Sequence, residues 1–304
     1  MTSEVSTHTR SLSTRELARE YYQITKPRVV GLIMFTAIAG MFLASPTLPG
    51  ISVLLLATIG IGLAAASGAA VNHVLDEDKD FLMKRTRNRP LPSGTIDTRS
   101  AMIFACMLAA ISMLVLVLGV NTLTAFLTFA SLIGYAVIYT IFLKYATPQN
   151  IVIGGAAGAM PPVLGWTAVT GTLSSDAVLL FLIIFCWTPP HFWALALYRA
   201  QDYQTAEIPM LPVTHGEKLT RLHVMLYTVL LTAVTIMPFA TGMFGYIYLS
   251  AALVLNTVFI LLTVRLYVRY TDQLSRRVFK FSIQYLAALF TMMLIDHYLM
   301  AAIA

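Results

Sequence analysis

The sequence predicts an all-α membrane protein, a bundle of nine transmembrane helices with its N-terminus inside and two acidic loops on the cytoplasmic face. Three observations predict it. The 304-residue chain is 58% hydrophobic and only 11% charged, with a mean hydropathy of +0.77, whereas a soluble domain carries roughly 25% charged residues. Nine apolar stretches have lengths suited to crossing a bilayer: 28–45, 51–71, 101–119, 122–143, 151–169, 177–198, 222–242, 244–264 and 281–302. With the N-terminus inside, all twenty Lys and Arg fall in or at the edge of inner segments, and the outer connections hold none. The positive-inside rule accounts for that separation, and dropping one helix would scramble it.

Residues 1–24 read as a polar tail and 25–304 as one membrane domain. Residues 1–20 lack an apolar h-region, which argues against a cleaved secretory signal; Glu4, Glu16 and Glu20 argue against a transit peptide. The expected setting is a bacterial plasma membrane, with the lipid bilayer as the chain's solvent. Cys106 and Cys186 lie inside predicted helices and imply neither a disulfide nor a metal site. The basic pI near 9.3 comes from the inner loops; it reflects topology and anion handling, and nothing indicates nucleic acid.

The chain is organised around NHVLDEDKDFLMKRTRNRPLPSG, Asn72 to Gly94, where four acids and five bases interrupt apolar sequence. If the preceding helix continues, Asn72, Asp76 and Asp80 lie at i, i+4 and i+8 on one face. Two carboxylates one turn apart beside an amide suit a hard divalent cation such as Mg²⁺, whose shell is completed by water and phosphate oxygens. The bases that follow can hold the remaining phosphate charge. The plainer reading is a solvated loop with topological charges; Asn72 and the arginine cluster favour the site.

TKPRVVG opens the first helix, with Lys26 and Arg28 as interfacial anchors. The second ends in GLAAASGAAVN, whose small residues permit close packing. Tyr135 and Tyr139 are one turn apart in the fourth and either flank a ligand or belong to the core. The fifth, rich in Gly, Ala and Pro, is read as spanning. The sixth carries WTPPHFWALA, where Pro189 and Pro190 predict a kink. His191 then sits in an apolar setting between Trp187 and Trp193. It is either a functional residue, as ionisable groups at membrane depth tend to be, or a histidine satisfied by a backbone carbonyl. Asp202 opens a second acidic loop in a position equivalent to Asp76, but its i+4 position is Ala206. Glu207 lies about 140° round the helix from Asp202 and need not share a ligand. Two such loops on one side suggest a common polyanion site with metal between them. Asp296 and His297 read as interfacial.

N-x-x-x-D-x-x-x-D after the second helix, a second acidic loop after the sixth and nine spans resemble the intramembrane aromatic prenyltransferase superfamily. MKRTRNRPLPSG, WTPPHFWALA and DYQTAEIPMLP are similar to its protohaem IX farnesyltransferase (haem O synthase) branch, over roughly Thr25 to the last helix. The resemblance implies transfer of farnesyl from farnesyl diphosphate to a vinyl group of haem b with addition of water, giving haem O and diphosphate, and a downstream haem A synthase as a partner. It implies Asp76, Asp80 and Asp202 at Mg²⁺ and diphosphate, with Asn72 beside them. Lys84, Arg85 and Arg89 would bind diphosphate, and His191 would ligate haem iron or handle a proton. Ala206 departs from the full second motif of phenol-prenylating relatives and leaves the metal count open.

Three rivals remain. A quinone or chlorophyll-type prenyltransferase would use the same diphosphate site. A transporter would place its acids at the midplane, not at one face. A structural haem-binding subunit would not need Asp76 and Asp80. Replacing either acid by Ala is expected to abolish turnover with little loss of folded protein, with milder effects at Glu77 and Asp78.

Overall fold

The computed structural model describes residues 13–303, and no strand occurs among them. The elements in order are α1 Thr14–Ile24, α2 Pro27–Leu43, α3 Ile51–Leu75, α4 Glu77–Leu82, α5 Thr98–Gly119 and α6 Thr122–Ile133. A π-helical segment, Gly134–Leu143, continues α6 directly into α7 Lys144–Ala146. Then come α8 Asn150–Ala159, α9 Pro161–Thr170, α10 Ser175–Tyr198, α11 Ala200–Thr205, α12 Leu211–Thr214, α13 Gly216–Ala240, α14 Tyr246–Val268 and α15 Asp272–Ile303.

Eight helices, with α6 to α7 and α8 to α9 each taken as one, are long and apolar enough to cross a membrane. A ninth results if α1 and α2, which meet at a 53° bend, form one span. The polar segment before residue 25 is helical over Thr14–Ile24, where only Ile24 is buried. Ser13 and Glu16 form a reciprocal capping box that starts α1, while residues 1–12 of the tail lie outside the described residues. Helix α10 runs through Pro189 and Pro190 as one continuous element.

Close approaches between helices depend on small residues. A Cβ on Gly40 of α2 would fall 2.2 Å from the Pro162 carbonyl oxygen, and one on Gly165 of α9 would fall 1.9 Å from that of Ala37. These two backbones can cross so closely only because both positions lack a side chain. Ser67 of α3 donates to the Ala105 carbonyl at 2.8 Å and Ser112 of α5 to that of Gly60 at 2.6 Å, which holds the base of α3 against α5. In the other half, the Tyr285 hydroxyl donates to Asn256 at 2.7 Å, whose amide donates to Thr235 at 2.9 Å, tying α13, α14 and α15 together.

Asp296 is not interfacial as expected but fully buried. Its carboxylate accepts the backbone N–H groups of Gly245 at 2.6 Å and Tyr248 at 3.0 Å, capping α14 from a neighbouring helix. His297 meets the Ser45 carbonyl at 2.9 Å and Tyr298 that of Phe42 at 3.0 Å, which closes α15 onto α2. Asp296→Ala leaves the buried Tyr248 N–H and the half-buried Gly245 N–H without a partner and is expected to cost about 1–3 kcal/mol. Thermal unfolding in detergent checks this, with Asp296→Asn as the milder comparison.

Candidate active site

The first acidic stretch keeps helical hydrogen bonding across the junction of α3 and α4. The N–H of Asp76 donates to the Asn72 carbonyl at 3.0 Å and that of Asp80 to the Asp76 carbonyl at 2.7 Å. Asn72, Asp76 and Asp80 are therefore carried on one face, and all three are at most 5% exposed. Glu77 is half-buried and Asp78 exposed, as the spacing predicts. Burial of both motif carboxylates is incompatible with a solvated loop. After Met83 the chain turns back, with Thr86 donating to the Asp80 carbonyl at 2.8 Å. The turn returns Arg89, whose guanidinium meets the Asp80 carboxylate at 2.6 Å. Lys84 and Arg85 stand exposed beside it.

The π segment completes this face. Its backbone hydrogen bonds run to the residue five back, as in the Lys144 N–H to the Tyr139 carbonyl, and the Thr140 hydroxyl also donates to the Tyr135 carbonyl at 2.8 Å. It places Thr140 at 3.3 Å from the Asn72 amide. Just beyond, Lys144 Nζ lies 2.6 Å from the Asp76 carboxylate and the Tyr145 hydroxyl donates to it at 3.1 Å. Asn72 also donates to Asp76 at 2.9 Å and accepts from the ammonium of Lys26. Lys26 sits at the α1–α2 bend with φ of 50°. A lysine in the left-handed region is strained, and here the backbone turn delivers its ammonium to the site.

Lys26 is thus no interfacial anchor; Arg28, exposed two residues on, fits that role. Sequence reasoning also passed over Thr140, Lys144 and Tyr145. The available signal was that Lys144 is the only base in its short connection, directly after an apolar span. Tyr135 and Tyr139 stack on each other with centroids 5.7 Å apart, adjoining the site. Three cations, Lys26, Arg89 and Lys144, surround two carboxylates. Arg89 and Lys144 answer the two carboxylates. Burial, with the Arg89 guanidinium, pushes the Lys26 pKa down to about 7. A bound polyanion therefore favours the charged form of Lys26 and is held where low dielectric strengthens each contact.

The second acidic loop lies at the same end of the bundle. Lys79 of α4 pairs with Glu207 at 3.2 Å, an exposed contact of small energy that fixes proximity. Asp202 of α11 pairs instead with Arg199 at 3.3 Å, so the two acids of this loop have different partners. Burial pushes the Tyr203 pKa upward, and the Arg85 guanidinium hydrogen-bonded to that hydroxyl pulls it back. Ala206 is fully buried in an apolar cluster with Ile208 and Met210; a carboxylate there would enter the core, which explains the broken second motif. Among the described residues no three His, Cys, Asp or Glu side chains converge. Asp202 therefore does not form a three-carboxylate centre with the Asp76–Asp80 pair.

His191 is 9% exposed and stacks between Trp187, with centroids 4.3 Å apart, and Phe279, at 4.7 Å. Trp193 packs elsewhere, edge-on to His223 and Tyr227. His191 Nδ1 lies 2.7 Å from Ser282 Oγ, and the Ser282 hydroxyl donates to the Phe279 carbonyl. A serine has one proton to give, so Nδ1–H donates to Ser282 and Nε2 keeps a free lone pair. The partner is a hydroxyl, not the backbone carbonyl considered above. Because both ring faces are covered, a ligand meets this imidazole through its edge.

Residues 33–290 match the UbiA prenyltransferase family. The chain belongs to that family. It is 54% identical over 286 residues to a protoheme IX farnesyltransferase of Nitrosospira multiformis, covering 94% of this chain and 96% of the relative. It is 56% identical to one of Marinobacter nauticus, covering 92% and 93%. The fold is similar to a digeranylgeranylglyceryl phosphate synthase (TM-score 0.79, 19% identity, 93% of this chain and 99% of that one). It is also similar to an Archaeoglobus fulgidus UbiA homologue solved with GPP and Mg²⁺ (TM-score 0.65, 15% identity, 90% and 99%). This UbiA chain is a multi-pass membrane prenyltransferase. Its buried acids cluster with basic side chains at the end of α3 and not at mid-helix, where a midplane transport site would lie.

Proposed function

We propose that the chain transfers farnesyl from farnesyl diphosphate to a vinyl group of haem b with addition of water, giving haem O and diphosphate. The setting is a bacterial plasma membrane, with the acidic loops on the cytoplasmic side and the product consumed by a haem A synthase. The observation that carries this reading is the buried Asn72–Asp76–Asp80 face with three cations upon it. The names of the relatives supply the acceptor.

The donor set fits Mg²⁺. Asp76, Asp80 and the Asn72 amide oxygen are hard ligands on one face, and Asp202, on the second loop at the same end of the bundle, is the third acid we assign to the metal and diphosphate. When bound, Mg²⁺ would neutralise charge on the departing diphosphate. Lys26, Arg89 and Lys144, with Lys84 and Arg85 at the mouth, bind and orient the diphosphate oxygens. The C1–O bond breaks and diphosphate leaves with the electron pair. The apolar bundle excludes water from the allylic cation, and the vinyl π electrons form the new C–C bond. Water adds to the cation formed beside the macrocycle and releases a proton, for which the free Nε2 of His191 is a suitable acceptor.

Membranes containing the protein, incubated with haem b, farnesyl diphosphate and Mg²⁺, are expected to yield a haem whose mass has grown by farnesyl plus hydroxyl. Excess chelator is expected to abolish that product, and restored Mg²⁺ to return it. Prenylation of an added quinone precursor with haem b left unchanged would overturn the acceptor assignment. Full activity in chelator would overturn the metal seat.

A further inference from the structure

Beyond the acidic face, a second cationic group has no role in the chemistry above. Tyr198, the last residue of α10, carries the Arg276 guanidinium 4.8 Å from its ring centroid and that of Arg199 at 5.7 Å. Arg199 is committed to Asp202, whereas among the described residues Arg276 pairs with no carboxylate. Arg276 also borders a groove of about 470 Å³ between α14 and α15, lined by Arg277, Lys280, Gln273 and Gln284. A column of rings leads inward from this group: Tyr198 meets Phe279 edge-on at 6.3 Å, and Phe279 stacks on His191. His191 and Tyr198 are seven residues apart on one helix, about 10 Å of rise.

We propose that Arg276 receives the carboxylates of the acceptor. The inference rests on the proposed function and adds a specificity residue to it. An acceptor with acid groups at one edge and an apolar remainder matches this gradient. Its charges stay at the aqueous end, where desolvation is least costly, and guanidinium is suited to bidentate carboxylate contacts. The rest of the macrocycle then extends along the ring column toward the Nε2 edge of His191.

The test compares haem b with its dimethyl ester, in which the carboxylates are blocked, using spectroscopic binding titrations and turnover of the full-length protein. Wild type is expected to bind the ester about tenfold more weakly than haem b, the scale of one charge-assisted contact. Arg276→Ala is expected to weaken haem b by a similar factor and to lose the discrimination, and Arg276→Lys to recover part of it. The KM for farnesyl diphosphate should not change. Equal binding of acid and ester by wild type would overturn the proposal. So would an Arg276→Ala effect confined to the farnesyl diphosphate KM, which would assign the group to the diphosphate. A defect reversed by adding anionic phospholipid would assign it to lipid headgroups. Wild-type turnover of haem b, read in the same assay, reports separately on the underlying reaction; its absence would overturn both.

Discussion

Asp76→Asn and Asp80→Asn are each expected to lower turnover by at least about a thousandfold, the scale on which loss of charge stabilisation at a leaving group is felt. The amide keeps the shape of the carboxylate but removes the negative charge that Lys144 answers at Asp76 and Arg89 at Asp80. Alanine is the less informative change here. Both ion pairs have a buried carboxylate, and deleting one partner of a buried pair costs about 3–5 kcal/mol. Either change leaves Lys144 or Arg89 without its counter-charge. Alanine also removes the remaining hydrogen bonds, those from Asn72 and Tyr145 at Asp76, and leaves a void. Asp76→Ala and Asp80→Ala are therefore expected to lose more folded protein than the asparagine variants. This revises the expectation, formed from helical spacing alone, that alanine would leave the fold intact. Single-turnover product formation, normalised to folded protein, separates the two effects. Asp78→Asn, at an exposed position, is the matched control. Near wild-type turnover in either Asn variant would remove that acid from the chemistry.

His191→Ala is expected to abolish either haem binding, if Nε2 ligates iron, or conversion of bound haem, if Nε2 takes the proton, while farnesyl diphosphate still binds with unchanged affinity. The tautomer supports this outcome, because with Nδ1–H given to Ser282 the Nε2 lone pair is available to iron or to a proton. The same change empties the space between Trp187 and Phe279, so a loss of thermal stability accompanies it. Separate titrations with haem and with the diphosphate distinguish the roles. Retained haem affinity and turnover with reduced stability would make His191 a packing residue. Loss of diphosphate affinity alone would place it in the anion site.

Much of this was legible in the sequence, for definable reasons. Span number and the shared face of Asn72, Asp76 and Asp80 follow from periodicity and length, which are local properties. Lys26, Thr140, Lys144 and Tyr145 were not legible, because their roles depend on contacts across 46 to 69 residues. Residue type misled twice. Lys26 resembled an anchor because bases at helix ends usually are, and Asp296 seemed interfacial because nothing local shows that it caps another helix. His191 stood out as ionisable and buried, but its tautomer rests on Ser282, 91 residues away.

The π-helical stretch Gly134–Leu143 stores part of the site's geometry as a residue count. A wider turn holds an extra residue compared with the α-helix on either side, and that offset sets the direction in which Thr140, Lys144 and Tyr145 face. Exchanging one apolar side chain for another in this stretch leaves the offset intact, so a substitution scan would report tolerance. Removing a single residue would instead let the span relax to α geometry and turn those three groups away from Asn72 and Asp76. A lineage could thus lose or gain this wall of the site by one codon's insertion or deletion, without altering any residue that touches substrate.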